Sequence, residues 1–505
     1  MHVGLIPLDE RPVNTRDPVM IAAIAGVRLS LPPPRLLSMY RQAADCAALG
    51  SWLTETAPSL DALIVSCEML GYGGLVASRI SDEPAGTILA RLDLLRTLKA
   101  RHPQLQLLGF NLVTRVSNAD HSGEEPAYWA RYGTRLYQLS QLMDRQQQGE
   151  DVTHDMAHLV AAVPEPYRQD FLHRRARNHI VNLGALQLLA EGVFDLLVLS
   201  SDDTSPYGLP SREKRWLAEW GERLALGERL LMYPGADEVG CVLVARLLNM
   251  QAKRRPRFKP LYAPSEGALN IAPYEDGPVA LTVQRQTYAV SGLVTEAESD
   301  FWLAVNAPVA RHGEWDPELA EQERVERLPA LQALVAEAVQ QQQAGQPVII
   351  VDVAYPNGAD PTFLELLQAQ INLPGLAAYG AWNTAGNTIG TALAQACASQ
   401  FIANDVQQAA HERFLLHRLV EDWGYQRLVR AELREWLQQQ TGSAEPTATN
   451  LRQVLARIEA RLNQLIGELP GFAGRYHILP GSVRLPWGRM FEVDFELADG
   501  TGVDQ

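Results

Sequence analysis

The stretch Phe194-Asp195-Leu196-Leu197-Val198-Leu199-Ser200-Ser201-Asp202-Asp203 decides how the chain is read. Its apolar run shows no alternation with polar residues, the mark of a strand buried on both faces, and such strands belong to parallel sheets covered by helices. Runs of the same kind recur outward from it: Val3 to Leu8, Val27 to Leu31, Leu60 to Ser66, Leu105 to Asn111, Arg229 to Tyr233, Val348 to Val353 and Leu376 to Ala381. Each ends in small, polar or acidic residues, and amphipathic helical stretches separate them, which is α/β alternation. With Phe194 to Ser200 the runs number eight, as a (β/α)8 TIM-like barrel requires. That barrel is the predicted fold; a doubly wound open sheet stays open as an alternative, because a sequence does not reveal closure.

Two stretches interrupt the rhythm and are expected as insertions into a barrel domain of residues 1–400. Residues 119–190 are too long for one crossover helix and predict several. Residues 255–318 contain strand-like pieces, Leu261 to Pro264 and Val279 to Thr282, and read as a small α/β subdomain. Residues 401–505 are expected to form a C-terminal accessory region, helical over 407–440 and 449–468 and ending in the alternating stretch Arg489 to Leu497. No repeat of solenoid period is visible.

The chain has 505 residues and a formal charge of −15, from 44 basic and 59 acidic side chains. That balance argues against attraction to nucleic acid or to an anionic membrane surface. Cys46, Cys67, Cys241 and Cys397 form no CxxC pair, so neither a disulfide framework nor a zinc ribbon is indicated. No secretory signal opens the chain, and no run of about 18 apolar residues would cross a membrane. The expectation is a soluble, cytoplasmic protein with which a homo-oligomer is compatible.

In a parallel α/β fold the loops after the strand C-termini build the active site. Here those loops read Asp9-Glu10-Arg11-Pro12, then Cys67-Glu68 through Tyr72 to Gly74, then Asn111, then Ser201 to Gly208 with Asp202, Asp203 and Tyr207. The later runs deliver Asp237-Glu238, Asp352, and Trp382-Asn383 through Thr388. Structural readings stand beside the functional ones. Asp237 and Asp360 suit helix N-caps, and Asp9-Glu10-Arg11 suits a buried ion-pair knot. Gly71 to Gly74 suits a tight turn, since it lacks the lysine and serine of a phosphate loop. Asp352, inside an apolar strand, needs a partner; Cys67 suits a small buried hydrophobe and Trp382 suits the core.

The histidines avoid these strand ends, so no HExxH zinc pattern forms; a GxSxG elbow and a GxGxxG fingerprint are also missing. The leading reading therefore needs no metal and no cofactor, and rests on carboxylate chemistry with amide and aromatic recognition, as suits a polyhydroxylated substrate. Neighbouring Asp202 and Asp203 point to different sides of a strand end, so they can take different roles. In a substrate-assisted glycosidase the sugar's own acetamido oxygen attacks the anomeric carbon, and both protein carboxyls can be adjacent.

Ser201-Asp202-Asp203 at the end of an apolar strand, with Tyr207, Trp382 and Asn383 available, resembles the catalytic arrangement of substrate-assisted β-N-acetylhexosaminidases. Through Leu8 to Pro12, Tyr72-Gly73-Gly74, Ser201 to Gly208 and Trp382 to Thr388, the whole chain also resembles a bacterial family long catalogued as a domain of unknown function, some members of which are suspected β-N-acetylgalactosaminidases. The first resemblance implies a retaining glycoside hydrolase acting on a terminal β-linked N-acetylhexosamine, and the second favours GalNAc over GlcNAc. By this likeness Asp202 would stabilise the acetamido group and Asp203 would act as general acid and then base. Arg79, Tyr207, Trp382 and Asn383 would recognise the sugar, with Asp9, Glu10, Arg11, Glu68, Tyr72, Asn111, Asp237 and Asp352 as further candidates for substrate contact. One departure is visible: in the hexosaminidases the pair follows the fourth strand, and here it follows the fifth run. Two alternatives stay open. One is a divalent-metal hydrolase or lyase with Glu68, Asp202 and Asp237 as oxygen ligands; the other is a sugar-binding protein without turnover.

Overall fold

The apolar runs pair into two parallel sheets, one in each of two compact units. The computed structural model describes residues 1–202, 204–309 and 313–500. The first unit comprises residues 1–15 and 27–240, the second residues 16–26 and 241–505. The chain is a mixed α/β protein, about 54% helical.

In the first unit, β1 (His2–Ile6), β2 (Arg28–Ser30), β3 (Ala62–Ser66), β4 (Gln106–Val113), β5 (Leu196–Ser201) and β6 (Leu230–Pro234) lie in the order β2-β1-β3-β4-β5-β6. Every ladder is parallel, with Val3 opposite Ala62, Leu108 opposite Leu196 and Ser201 opposite Pro234. These are six of the eight expected runs. Their side chains meet helices on a core that includes Leu63, Val65, Leu107, Leu197 and Leu199. The segment 119–190 forms three helices, Trp129–Gln147, Thr153–Ala162 and Glu165–Ala190. The longest of them lays Val181, Ala185, Leu188 and Leu189 on that core.

In the second unit, β7 (Arg257–Ala263), β8 (Leu293–Val294), β9 (Phe301–Asn306), β10 (Val348–Asp352) and β11 (Ala378–Gly380) lie in the order β11-β10-β9-β7-β8, again all parallel. Counted within the unit, that order is 2-1-3-4-5, which is also the order of the first five strands of the first unit. That strand order is the one found in flavodoxin-like sheets. The two halves echo each other locally after their first strands, as Leu8-Asp9-Glu10-Arg11-Pro12-Val13 and Tyr274-Glu275-Asp276-Gly277-Pro278-Val279.

The ladders thus show the parallel α/β class and divide its strands between a six-stranded and a five-stranded sheet; they do not show one closed eight-stranded ring. Parallel strands carry the same apolar signature whichever sheet they join, so the count alone could not separate the two. Residues 255–318, expected as an inserted subdomain, supply β7, β8 and β9. Leu261 to Pro264, expected as a strand-like piece, overlaps the end of β7, whose apolar run Lys259 and Pro260 interrupt. Val279 to Thr282, expected as a strand, opens the helix Val279–Ala289, with Pro278 before its first turn. Residues 401–505 bring Leu415, Tyr425, Leu433, Val454 and Ile458 into one core with Val348 and Ile350 of β10. They end in an antiparallel pair, Tyr476–Ile478 with Leu497–Asp499. No helix among the described residues is long and apolar enough to cross a membrane.

Gly109 in β4 shows how tightly the first sheet is covered. A β-carbon there would stand 2.5 Å from ring atoms of Phe194, which is fully buried. Gly109→Ala is expected to destabilise the first unit by about 1–3 kcal/mol through overpacking, read as a lower midpoint in urea unfolding.

Candidate functional site

The strand ends of the first unit are organised by buried guanidinium groups. Asp9, in the loop after β1, accepts the backbone N–H of Arg11 at 2.9 Å, the Arg11 Nε at 2.9 Å and the Asn14 amide at 2.9 Å. Arg11 continues to Asp237, beyond β6, at 2.5 Å. Asp9, Arg11, Asn14 and Asp237 are all buried. A charge buried without a partner costs several kcal/mol, so this knot pins the loop after the first strand to the loop after the sixth. Burial pushes the Asp237 carboxyl up, with Arg11 opposing and Asp9 and Asp202 adding like-charge repulsion. The ion-pair knot foreseen for Asp9 to Arg11 therefore exists, and Asp237 belongs to it. Glu10 turns the other way and accepts from Ser38 Oγ and the Tyr40 N–H.

Asp202 follows β5 directly and is ion-paired to Arg79 of the helix Leu75–Ile80. The Arg79 side chain is 3% exposed and that of Asp202 14%, so the base of the pair is dry while the carboxylate reaches solvent. Arg79 also holds Glu124 at 2.5 Å, and Arg115 holds Glu124 at 3.3 Å and Glu125 at 3.4 Å. Burial pushes the Glu125 carboxyl up. Behind Asp202 the hydroxyls of Ser200 and Ser201 are buried without a hydrogen-bond partner among the described residues. Asp203 lies outside the described residues.

The loop that follows is clamped by the helix Trp129–Gln147. Asp144 accepts the Gly208 N–H at 2.9 Å and Ser140 Oγ accepts the Leu209 N–H at 2.8 Å, while the Arg145 guanidinium lies 4.6 Å from the centre of the Tyr207 ring. Gly208 has φ +132°, a conformation that favours glycine and lets its N–H reach Asp144. Sequence reading missed Ser140 and Asp144. Their signal was there: two polar residues interrupt the buried stripe Trp129, Tyr132, Leu136, Leu139 of an amphipathic helix.

Glu68, Asn111 and Tyr72 lie in a different, closed network. One Glu68 oxygen accepts the Asn111 amide at 2.5 Å and the Leu112 N–H at 2.7 Å, and the other accepts Ser66 Oγ at 3.1 Å. Asn182 donates to Asn111 at 2.6 Å, and the Tyr72 hydroxyl donates to Asn178 at 3.0 Å. Burial raises both the Glu68 carboxyl and the Tyr72 phenol, so these groups are placed to hold β3, β4 and the helix Glu165–Ala190 together. The structure does not gather Glu68, Asp202 and Asp237: among the described residues no group of three or more His, Cys, Asp or Glu is arranged to hold a metal ion.

The second unit has its own cluster at its strand ends. Asp352, the last residue of β10, accepts from the Asn306 amide at 2.9 Å and the Asp360 N–H at 2.6 Å. Asp360 caps the helix Pro361–Gln370 through Thr362 N at 3.0 Å, as expected, and pairs with buried Arg327 at 2.8 Å. Asp422 accepts the Ala381 N–H at 2.8 Å just after β11, and Asn383 O accepts the Asn357 N–H at 3.1 Å. Asn357 and Asn383 have φ of +58° and +65°, so two adjoining loops carry left-handed backbone, a strain found at ligand sites. Trp382 is buried, 6.2 Å from the Phe491 ring, and its indole N–H has no hydrogen-bond partner among the described residues. The candidate residues therefore divide: Asp9, Glu10, Arg11, Glu68, Tyr72, Arg79, Asn111, Asp202, Tyr207 and Asp237 belong to the first unit, and Asp352, Trp382 and Asn383 to the second.

Both units present the carboxyl ends of a parallel sheet, where parallel α/β proteins bind ligands. The chain matches the family model described as a protein of unknown function, DUF4127, over residues 3–496, and belongs to that family. No curated protein and no solved structure matches it.

Asp422 yields a measurable consequence of this chemistry. Burial holds its carboxyl up at about 7, with Arg418 opposing. The folded chain therefore keeps a proton that the unfolded chain releases at the ordinary aspartate value, and the stability it contributes is present at low pH and lost as pH rises toward 7. Asp422→Asn retains an acceptor for Ala381 but cannot titrate. Urea unfolding followed between about pH 4 and 7 is expected to show a shallower fall of stability with pH in the variant than in the wild type.

Proposed function

We propose that the protein is a retaining glycoside hydrolase that removes a terminal β-linked N-acetylhexosamine, GalNAc in preference to GlcNAc, by substrate-assisted catalysis. The observation that carries the reading is Asp202: a solvent-reaching carboxylate at the end of a buried strand, held in one orientation by the dry Arg79 guanidinium. Asp202 accepts the N–H of the 2-acetamido group and stabilises the positive charge that develops as the acetamido oxygen attacks the anomeric carbon. Asp203 protonates the departing glycosidic oxygen, and its carboxylate then takes a proton from the water that opens the cyclised intermediate. Arg79 acts through Asp202 as a positioning residue. The loop carrying Tyr207 is fixed from behind by Ser140, Asp144 and Arg145, which favours a rigid wall for the sugar.

The reading draws on a barrel-like convergence of strand ends, and the bridge from Asp9 through Arg11 to Asp237 is consistent with such convergence in the first unit. A cytoplasmic setting, where cysteines stay reduced, is part of the same proposal; none of Cys46, Cys67, Cys241 and Cys397 is in a disulfide.

A panel of nitrophenyl glycosides tests it. Turnover is expected on the β-N-acetylhexosaminides and should fall by several orders of magnitude where a hydroxyl replaces the acetamido group, since the nucleophile is then gone. Equal rates on plain galactosides would refute the mechanism. Asp202→Asn should cost about 10²–10³ in kcat on every substrate. Asp203→Ala should cost about 10² on natural glycosides and less on aryl glycosides with good leaving groups.

A further inference from the structure

The helices Trp129–Gln147 and Thr153–Ala162 face each other across a cavity of about 360 Å³. One wall is Gln138, Gln141, Leu142 and Arg145, spaced i, i+3, i+4 and i+7, so a single helix face lines it. The other wall includes His154 and His158, one turn apart, with Asp155 beside them. Both histidines are exposed, and neither engages in a hydrogen bond, ion pair or ring contact among the described residues. Two other polar groups here are engaged. Gln141 donates its amide to the Tyr137 hydroxyl at 2.6 Å, leaving its carbonyl oxygen as an acceptor. Arg145, while lining the cavity, has its guanidinium 4.6 Å from the centre of the Tyr207 ring and 4.0 Å from Glu150. The Asp151 carboxylate accepts the Thr153 N–H at 3.2 Å, which orders the start of the helix that presents the pair.

We infer that His154 and His158 form a chelating site for a divalent transition-metal ion of the imidazole-preferring class. Side chains at i and i+4 stand about 5–6 Å apart at Cβ, a separation from which two imidazoles close on one ion at about 2.0–2.1 Å, as the two histidines of HExxH do. The Asp155 carboxylate supplies negative charge to the cavity, and the Gln141 carbonyl is a further oxygen donor on the opposite wall. No third imidazole, thiol or carboxylate completes the set among the described residues, so water fills the remaining positions. Such an open site suits Cu²⁺ or Ni²⁺, which favour tetragonal and octahedral shells, over structural Zn²⁺, which demands four protein ligands. His154 and His158 have no role in the proposed glycoside cleavage; only Arg145 is common to this cavity and the Tyr207 loop, and the inference stands or falls without that reading.

Isothermal titration of the full chain with Ni²⁺, and separately with Cu²⁺, in a non-coordinating buffer tests the inference. Wild type is expected to show one site that weakens by at least about tenfold in His154→Ala and in His158→Ala, since loss of a direct ligand costs no less than loss of an outer-shell partner. The double variant should lose it. Both side chains are exposed, so the metal-free thermal midpoints of all four proteins should coincide, and only the wild-type midpoint should rise markedly on adding metal. If the double variant binds as the wild type does, the ion sits at another of the eleven histidines and the inference is wrong. It is equally wrong if inorganic phosphate, titrated alone, binds in a manner that needs His154 and His158 while Ni²⁺ and Cu²⁺ do not bind, because the cavity is then an anion site built on Arg145.

Discussion

Buried guanidinium groups paired with carboxylates are the constraint on which the strand ends depend. Arg11 binds Asp9 and Asp237, Arg79 binds Glu124 and Asp202, and in the second unit Arg327 binds Asp360. Taking an ion out of water is costly enough that each of these side chains must find a partner of fixed geometry, and the partners lie in loops distant in sequence. The result is a set of loops whose positions are coupled by charge rather than by apolar packing. Removing one partner would leave the other charged and buried, so these pairs are far more consequential than the exposed ion pairs such as Arg223 with Glu219 on the outer helices.

Topology decides where those loops are. A parallel ladder sends every strand C-terminus to the same edge, and the 2-1-3-4-5 order, present in both units, reverses its direction where the first and third strands adjoin. In the first unit the Asp9 knot follows β1 and the closed Glu68 network follows β3. In the second unit β9 and β10 end in Asn306 and Asp352, which are tied to each other, and the adjoining loops carry the left-handed Asn357 and Asn383. The same architecture thus serves two sets of polar residues within one chain.

Asp202 differs from Glu68, Asp237 and Asp352 in keeping a path to solvent while its partner Arg79 is buried. Glu68 and Asp352 have backbone amides and asparagine side chains saturating their oxygens, which is the signature of a carboxylate that shapes a loop. A group that is to accept a substrate N–H must be both oriented and accessible, and Arg79 with the Ser140 and Asp144 clamp meet those needs around Asp202. The helical segment 119–190 consequently has a purpose in the fold: its first long helix restrains the loop after β5, and its third covers the sheet.

The amino-acid sequence by itself determined the α/β class, the buried parallel character of the strands, the helical nature of 119–190, the capping role of Asp360 and the ion-paired character of Asp9 and Arg11. Each follows from local periodicity or from the cost of burying a charge, and neither depends on distant neighbours. The tertiary structure alone decided that the strands divide six and five between two sheets, because parallel strands look alike whichever sheet takes them. It alone separated Asp202, which reaches solvent, from Glu68, which does not: an acidic residue after an apolar run reads the same in both places until its neighbours are known. The partners of Asp237 and Asp202, namely Arg11 and Arg79, were present in the sequence as candidates for sugar contact. What joined each to its carboxylate was folding across 226 residues in one case and 123 in the other, a distance over which no local pattern carries information.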